Sequence, residues 1–427
     1  MQRALDNGYV ESDLVVADTP PTWEELREEI AKLAAGNPET CFVRTVGASR
    51  AGEPMELLTL RGGRLPTLVV AGPHPNEPVG AATVLAMARY LLGRPETRNG
   101  ITWHLLLSSD PDGGRLNEGW STAWPVSLDT YHRHFYRPPV DAQPECCFPV
   151  EGFTGQLPET RALMGVVDEL RPALSVSLHN SDTGGAFLMA SRADRGLVNV
   201  LSAAAARHGI SLDVMPSDCV GLPSPGPGVF VMPEPAAVAD RPAPAPGEWV
   251  PAGGSSMHYV ARHGGLGISP EVPMWQTRAI TLSAEDGAAY QREAVRVLEG
   301  VLKRTPPKPS VFRPAVEEQI AIMRLMTRIA QENPQSCADQ DLALLLPLRG
   351  AGMLLRHLDV LLEETPAHPD LLREEVALKA EFDTWVAKAE QELRPVPFTL
   401  SQTVGYQVDV ILGAARMVQT AGGPPSR

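Results

Sequence analysis

The chain is predicted to be an α/β protein, a sheet covered by helices, with a C-terminal all-helical module. Three observations predict it. Short apolar runs of the buried-strand kind alternate with stretches of helical periodicity as far as Leu302. The segment Thr305-Pro306-Pro307-Lys308-Pro309 then reads as a linker. Beyond it only helical periodicity remains, over 316–332, 340–362, 369–393 and 403–419. These signals divide the 427 residues into an α/β domain, 1–305, and a helical module, 306–427.

In order, residues 22–34 form the first helix. Thr22 and Glu25 make a capping-box pair, and Trp23, Leu26, Ile30 and Leu33 share one face. Residues 41–61 read as strands around a turn at Gly52. Thr67–Ala71 is a buried-strand run that meets Gly72-Pro73-His74-Pro75-Asn76-Glu77-Pro78, and a helix follows from Val79 to Leu92. Ile101–Leu107 is the next strand and ends in the turn Ser108-Ser109-Asp110-Pro111-Asp112-Gly113. A helix over 157–170 leads to the strand Leu174–Leu178, with His179 at its end. Residues 216–251 hold ten prolines and read as an ordered loop or lid. Ile268–Val272 returns to strand composition, and 282–302 to a helix. Ala421–Arg427 reads as a frayed tail.

Composition narrows the function. Lys and Arg number 37 against 51 Asp and Glu, for a net charge of −14. A field of that sign repels nucleic acid and anionic membrane surfaces. Only five of the basic residues are lysine, a skew expected of a GC-rich bacterial genome. The five cysteines are irregularly spaced, so neither a disulfide framework nor a cysteine zinc site is expected. Met1–Val16 carries early acidic residues and no long apolar run, unlike a secretory signal. The greasiest stretch, Leu342–Leu362, is broken by Pro347, Arg349, Arg356 and Asp359 and does not suit a membrane span. The expected compartment is the cytoplasm.

His74 and Glu77 lie three apart in a proline-stiffened turn after a strand. Neutral imidazole and carboxylate are good zinc ligands, and a rigid turn can hold both on one ion. The plainer reading is a solvated loop pair. His179 stands at a strand end, where open α/β sheets place ligands; alone it reads equally as a half-buried structural histidine. With His74 and Glu77 it completes a His2Glu set that leaves a coordination position for water. Glu271 lies inside the apolar run 268–272, where a carboxylate is costly unless it faces polar space. It suits a general base, or an edge-strand surface acid.

Taken together and in this order, these motifs resemble the zinc carboxypeptidase family, metallocarboxypeptidases of the carboxypeptidase A type. His74 and Glu77 match its HxxE motif. Asp110-Pro111-Asp112-Gly113 matches its Asn-Pro-Asp-Gly turn with Asp in first place. His132-Arg133-His134-Phe135 is similar to its Asn-Arg-Asn-Phe segment with both Asn replaced by His. His179 matches the third ligand and Glu271 the catalytic Glu, and Gly253-Gly254 matches a glycine pair. The likeness spans roughly residues 20–305. Arg115-Leu116-Asn117-Glu118-Gly119-Trp120, Pro158-Glu159-Thr160-Arg161 and His179-Asn180 with Gly184-Gly185 resemble a bacterial subgroup of the family.

The resemblance implies a mixed, helix-covered sheet and one Zn2+ per chain on His74, Glu77 and His179, with Glu271 as general base. It implies hydrolysis of the C-terminal amide bond of a peptide, with release of an amino acid. It also implies two arginines. Arg115, after the Asp-Gly turn, is the candidate for the oxyanion, with Arg137 the alternative; Arg133 is the candidate clamp for a terminal carboxylate, assisted by His132. Each could equally be a surface charge. Trp249 takes the position of the family's mobile tyrosine and either closes over substrate or packs. Asn180, beside the third ligand, and Ser256, after the glycine pair, are placed with the substrate-binding residues. No carboxylate stands among 253–257, so a basic C-terminal residue is not favoured. Two other functions stay open: a zinc amidohydrolase acting on a small N-acyl amino acid, and a catalytically silent peptide-binding protein. The expected partner is a peptide or small amide. The helical module is either a closed bundle, or a homo-oligomer interface or a platform that shapes the site entrance.

Overall fold

A computed structural model describes residues 14–241, 247–278, 280, 282–332 and 340–421. The readings of Met1–Asp13, of Pro334 and of the last six residues lie outside the described residues. The chain runs α1 (Trp23–Gly36), β1 (Cys41–Ala48), β2 (Pro54–Leu60), β3 (Gly63–Val70), α2 (Val79–Gly93) and β4 (Gly100–Leu106). It continues through α3 (Pro111–Ser121), α4 (Leu128–Arg133), α5 (Pro158–Leu170), β5 (Leu174–Ser177), β6 (His179–Ser181), β7 (Phe187–Ala190) and α6 (Arg195–His208). Then come β8 (Val229–Val231), α7 (Ser256–Ala261), β9 (Leu266–Pro273), β10 (Trp275–Gln276) and α8 (Ala284–Arg304). The last elements are α9 (Phe312–Glu332), α10 (Gln340–Glu364), α11 (Pro369–Leu393), β11 (Val396–Pro397) and α12 (Leu400–Ala421).

The main sheet is mixed and ordered β1-β2-β4-β3-β5-β9-β7-β8, with β6 pairing β9 beyond the end of β5. Its middle, β4-β3-β5-β9, is parallel, whereas β1-β2, β2-β4 and β7-β9 are antiparallel. Strand alternation decides which face each side chain serves. Leu57, Leu68 and Val70 pack with α5 residues Leu163, Val166 and Val167, while Leu58, Leu60 and Val69 point into the core on the opposite side. The first helix is capped as the sequence predicts, by reciprocal Thr22 and Glu25 hydrogen bonds.

Three expectations need correction. The Asp110–Gly113 turn opens a helix: Asp110 caps α3 by accepting from the Gly113 N–H at 3.0 Å, and Pro111 sits in its first turn, where a missing N–H costs nothing. The proline-rich segment contains a short strand, β8, paired with β7. The boundary at residue 305 is also misplaced. Helix α8 packs against α9 and α10, not on the sheet, and α12 lies on the sheet beside α2, α6, β5 and β9. The two-residue ladder Trp275↔Pro397 and Gln276↔Val396 marks where the chain leaves the sheet domain and returns. Helices α8–α11 are therefore an insertion, and α12 closes the domain they interrupt. The linker prolines only separate α8 from α9.

The bundle rests on α4. Gly352 of α10 meets the carbonyl of His132 so closely that a Cβ there would lie 1.7 Å from the oxygen. The leucines Leu344, Leu345, Leu354, Leu358 and Leu361 are buried within the chain, so covering them requires no second copy.

Candidate metal centre

The ligand cluster follows from strand register. β3 and β5 are parallel and in step, Val70 opposite Ser177, so both strands end at the same edge. Past β3 the chain turns through Gly72, which has a φ of +59° and lies so close to Ser108 that a Cβ would sit 2.8 Å from its Oγ. That turn presents His74 and Glu77. Two residues past Ser177, His179 begins β6, whose pairing with β9 sets it directly opposite Glu271.

The donor atoms of His74, Glu77 and His179 lie within 4.8 Å of one another, the one such His/Cys/Asp/Glu cluster among the described residues. The two imidazoles meet edge to face with centroids 5.0 Å apart. His179 Nδ1 is 3.3 Å from Glu77 Oε2 and 3.6 Å from Glu271 Oε1. All four side chains are buried.

Burial pushes His74 well below the usual imidazole range, and the nearby Arg137 and His179 charges add to the effect, so its ring is neutral and its nitrogen lone pair free. The buried Nδ1 of His74 has no hydrogen-bond partner. Burial opposes a charge on His179, but Glu77 and Glu271 beside it outweigh that and raise it to about 9. Burial likewise drives the Glu271 carboxyl upward. A cation among these carboxylates would replace the proton they hold. An orphaned imidazole nitrogen, a second imidazole and a carboxylate in one buried cluster fit zinc, which prefers such N/O donors.

Groups behind the ligands fix them. The Asn180 N–H donates to Glu77 Oε2 at 3.2 Å. Gln407 of α12 donates to the His179 carbonyl at 3.0 Å and accepts from the Thr83 hydroxyl of α2 at 2.7 Å. Supports of this kind hold ligand orientation.

The structure redistributes the remaining predicted residues. Arg137 stands at the cluster: its guanidinium donates to Glu77 Oε1 at 3.4 Å and to Gln143 at 3.2 Å. Arg115 does not reach it. That side chain is bound to Glu53 at 2.7 Å and Glu24 at 2.8 Å, on the outside of α3. Arg133 is also elsewhere, tied to Asp129 at 2.5 Å and to Asp383 of α11 at 2.9 Å, with its guanidinium over the Phe382 ring. His132 is buried under α10; its Nδ1 bonds the Leu128 carbonyl at 2.8 Å, and burial lowers it to about 4. Arg133 therefore ties α4 to the bundle, the His132 ring is bonded within α4, and neither forms a carboxylate clamp. The Trp249 side chain hydrogen-bonds Glu318 of α9, which also accepts from the Val140 N–H at 2.7 Å. The Asn180 amide accepts from the Val79 N–H and donates to the Val272 carbonyl, each at 3.2 Å, which makes it a strut between β6, α2 and β9. Ser256 is buried and donates to Glu145 at 2.7 Å.

Five residues escaped the sequence reading of the site: Gln143, Glu145, Gln407, Asp182 and Arg349. Asp182, three residues after His179, accepts from Arg349 of α10 at 2.7 Å and from the Tyr131 hydroxyl at 2.8 Å; Tyr131 in turn accepts from Asn76, between the two first ligands, at 3.4 Å. An acid close behind His179 was the one sequence signal available for this network.

Residues 26–189 match the family model of the zinc carboxypeptidases, in agreement with the resemblance carried by the motifs. No curated protein matches the chain. Among solved structures it is similar to a candidate metallopeptidase of Shewanella amazonensis SB2B, at 16% identity over 58% of this chain and 84% of that one, with a TM-score of 0.41. A metallo-carboxypeptidase of Burkholderia cenocepacia shares 15% identity over 60% of each chain, with a TM-score of 0.40. The bovine thrombin-activatable fibrinolysis inhibitor, solved with a tick carboxypeptidase inhibitor, shares 11% identity over 61% of this chain and 87% of that one, with a TM-score of 0.38. Among the described residues no helix is long and apolar enough to cross a membrane.

Proposed function

We propose that the protein hydrolyses an amide bond of a peptide, at its C-terminal end, with one zinc ion held by His74, Glu77 and His179. The observation that carries this reading is the β6–β9 register, which sets Glu271 opposite His179 and brings its carboxylate to 3.6 Å from the ligand ring. Zinc bound there supplies Lewis acidity, polarising a carbonyl and making water more acidic. Glu271 takes a proton from the attacking water and passes it to the leaving nitrogen. The oxygen adds to the carbonyl carbon, the C–N bond breaks, and a carboxylic acid and an amine leave. Arg137 is the arginine positioned to steady negative charge on the carbonyl oxygen.

The engagement of Arg133 by Asp129 and Asp383 removes that carboxylate clamp from a peptide and from a small N-acyl amino acid alike, so hydrolysis of the latter stands as a second reading. Mass spectrometry of a peptide and N-acyl amino acid pool, with zinc-loaded wild type beside Glu271→Gln, separates the two. Loss of one C-terminal residue, absent in the variant, is the expected result. Turnover of N-acyl amino acids alone would move the protein to the second reading. No turnover of anything would leave a very narrow substrate or a binding role, and equal turnover by wild type and variant would remove Glu271 as the base.

A further inference from the structure

We propose that Glu318 of α9 is a positioning residue for Arg137. It holds the backbone strap on which that guanidinium reaches the metal centre, and so ties the inserted bundle to the chemistry. This deepens the hydrolase reading above and rests on the role given there to Arg137.

Arg137 is loosely held by its own side chain. Its Nη1 lies 3.4 Å from Glu77 Oε1 and its Nε 3.2 Å from Gln143 Oε1. Both distances are at or past the long end of ordinary N–H···O bonds. The placing of the guanidinium therefore depends on the backbone behind it. Pro138 and Pro139 come next, each with a fixed φ and no N–H. Pro139 is extended, with φ −60° and ψ 157°. Val140 is thus the first backbone donor after Arg137, and a stiff two-proline link carries its position back to Arg137. Glu318 Oε2 accepts from that N–H at 2.7 Å. On the other side of Arg137, Tyr136 meets Phe312 at the start of α9, edge to face with centroids 5.5 Å apart. One helix brackets Arg137 from both sides along the chain. The far end of the strap belongs to the sheet domain: Arg50 donates to the Ala142 carbonyl at 3.0 Å and Thr160 to the Pro144 carbonyl at 2.9 Å.

Glu318 is itself held in place. It also accepts from the Trp249 side chain. Helix α9 grips the segment that carries Trp249 at two further points. Arg328 pairs with Glu248 at 2.6 Å, and Arg324 Nη1 lies 3.5 Å from the Gly247 carbonyl oxygen. Gly247 has a φ of +74°, and a Cβ there would lie 2.6 Å from Arg324 Nη1, so this approach depends on glycine. The two donors to Glu318, a backbone amide and an indole, are neutral N–H groups. The reach of the Glu318 side chain therefore matters more than its charge.

The test is calorimetric binding of inorganic phosphate to the zinc-loaded full chain. Phosphate is tetrahedral and anionic, like the adduct of water with an amide carbonyl. Wild type is compared with Arg137→Ala, Glu318→Gln, Glu318→Asp and the double variant Arg137→Ala with Glu318→Asp. Gln keeps the length of the side chain without its charge; Asp keeps the charge one methylene short. Arg137→Ala is expected to weaken binding roughly tenfold or more. Glu318→Asp should weaken it about threefold or more in wild type, and change it less than about twofold once Arg137 is gone. Glu318→Gln should stay within about twofold of wild type. A residue that only stabilises the fold would act alike in both backgrounds. If Glu318→Asp does not fold, Glu318→Ala takes its place with the same expectations. An equal loss in both backgrounds, a larger loss for Gln than for Asp, no loss for Asp, or no phosphate binding by wild type would overturn the proposal. Failure of the hydrolase reading is seen separately, as no turnover of any amide while the phosphate pattern persists.

Discussion

Helix α12 and the bundle α8–α11 are both helical, apolar and late in the chain, yet they relate to the centre in different ways. α12 lies on the sheet and places a buried amide, Gln407, on the carbonyl of the candidate ligand His179. It also sets Asp409 against His208 of α6 at 2.9 Å. The bundle packs its leucines against one another and approaches the centre through a buried charge, Arg349 on Asp182. The first is part of the sheet domain that carries the candidate centre; the second is a separately cored addition joined to it at α4 and Asp182. Helical periodicity is the same in both, so the distinction lies in which buried polar atoms each element satisfies.

The largest effect that would test this division is loss of α12. A chain ending at Pro397 exposes the sheet face under α12 and is expected to lose its cooperative thermal transition altogether, followed by far-ultraviolet circular dichroism. A folded truncated protein would break the comparison. Next, Arg349→Met leaves the Asp182 carboxylate buried and uncompensated, which is expected to cost about 3–5 kcal/mol in urea unfolding. Adding Asp182→Asn should recover most of that loss; no recovery would mean that Arg349 acts by packing. Third, Arg137→Ala should lower kcat/KM about 10²–10³-fold on any substrate found. Arg133→Ala should change it less than about threefold, because an exposed ion pair contributes only about 0–1 kcal/mol. The reverse ranking would restore Arg133 to the site. A smaller effect than that of Arg137→Ala is expected of Gln407→Leu, which strands the His179 carbonyl and the Thr83 hydroxyl and should destabilise by about 1–3 kcal/mol. It should also speed zinc loss to a chelator, whereas bundle substitutions away from Arg349 should not.

The legible part of the site was the part built on strand ends. His74, Glu77, His179 and Glu271 each follow or interrupt an apolar run, and the parallel register that unites them is a regular consequence of such a sheet. Arg115 and Arg133 were misplaced because long cationic side chains take the nearest acid in space. For Arg133 that includes Asp383, 250 positions away. Glu145 gave no signal, since its neighbour Ser256 lies 111 positions on.

By itself the sequence determined the strands and the capped helices, because each is fixed by periodicity, turn chemistry or a neighbour a few positions away; His74, Glu77, His179 and Glu271 stand out only through the order of their motifs and the family resemblance it carries. Tertiary structure alone decided that α12 completes the sheet domain, that α8–α11 interrupt it, and which charged groups line the centre. Those outcomes depend on which buried surfaces and buried charges find partners across the whole chain, and local pattern carries no record of such long-range pairing.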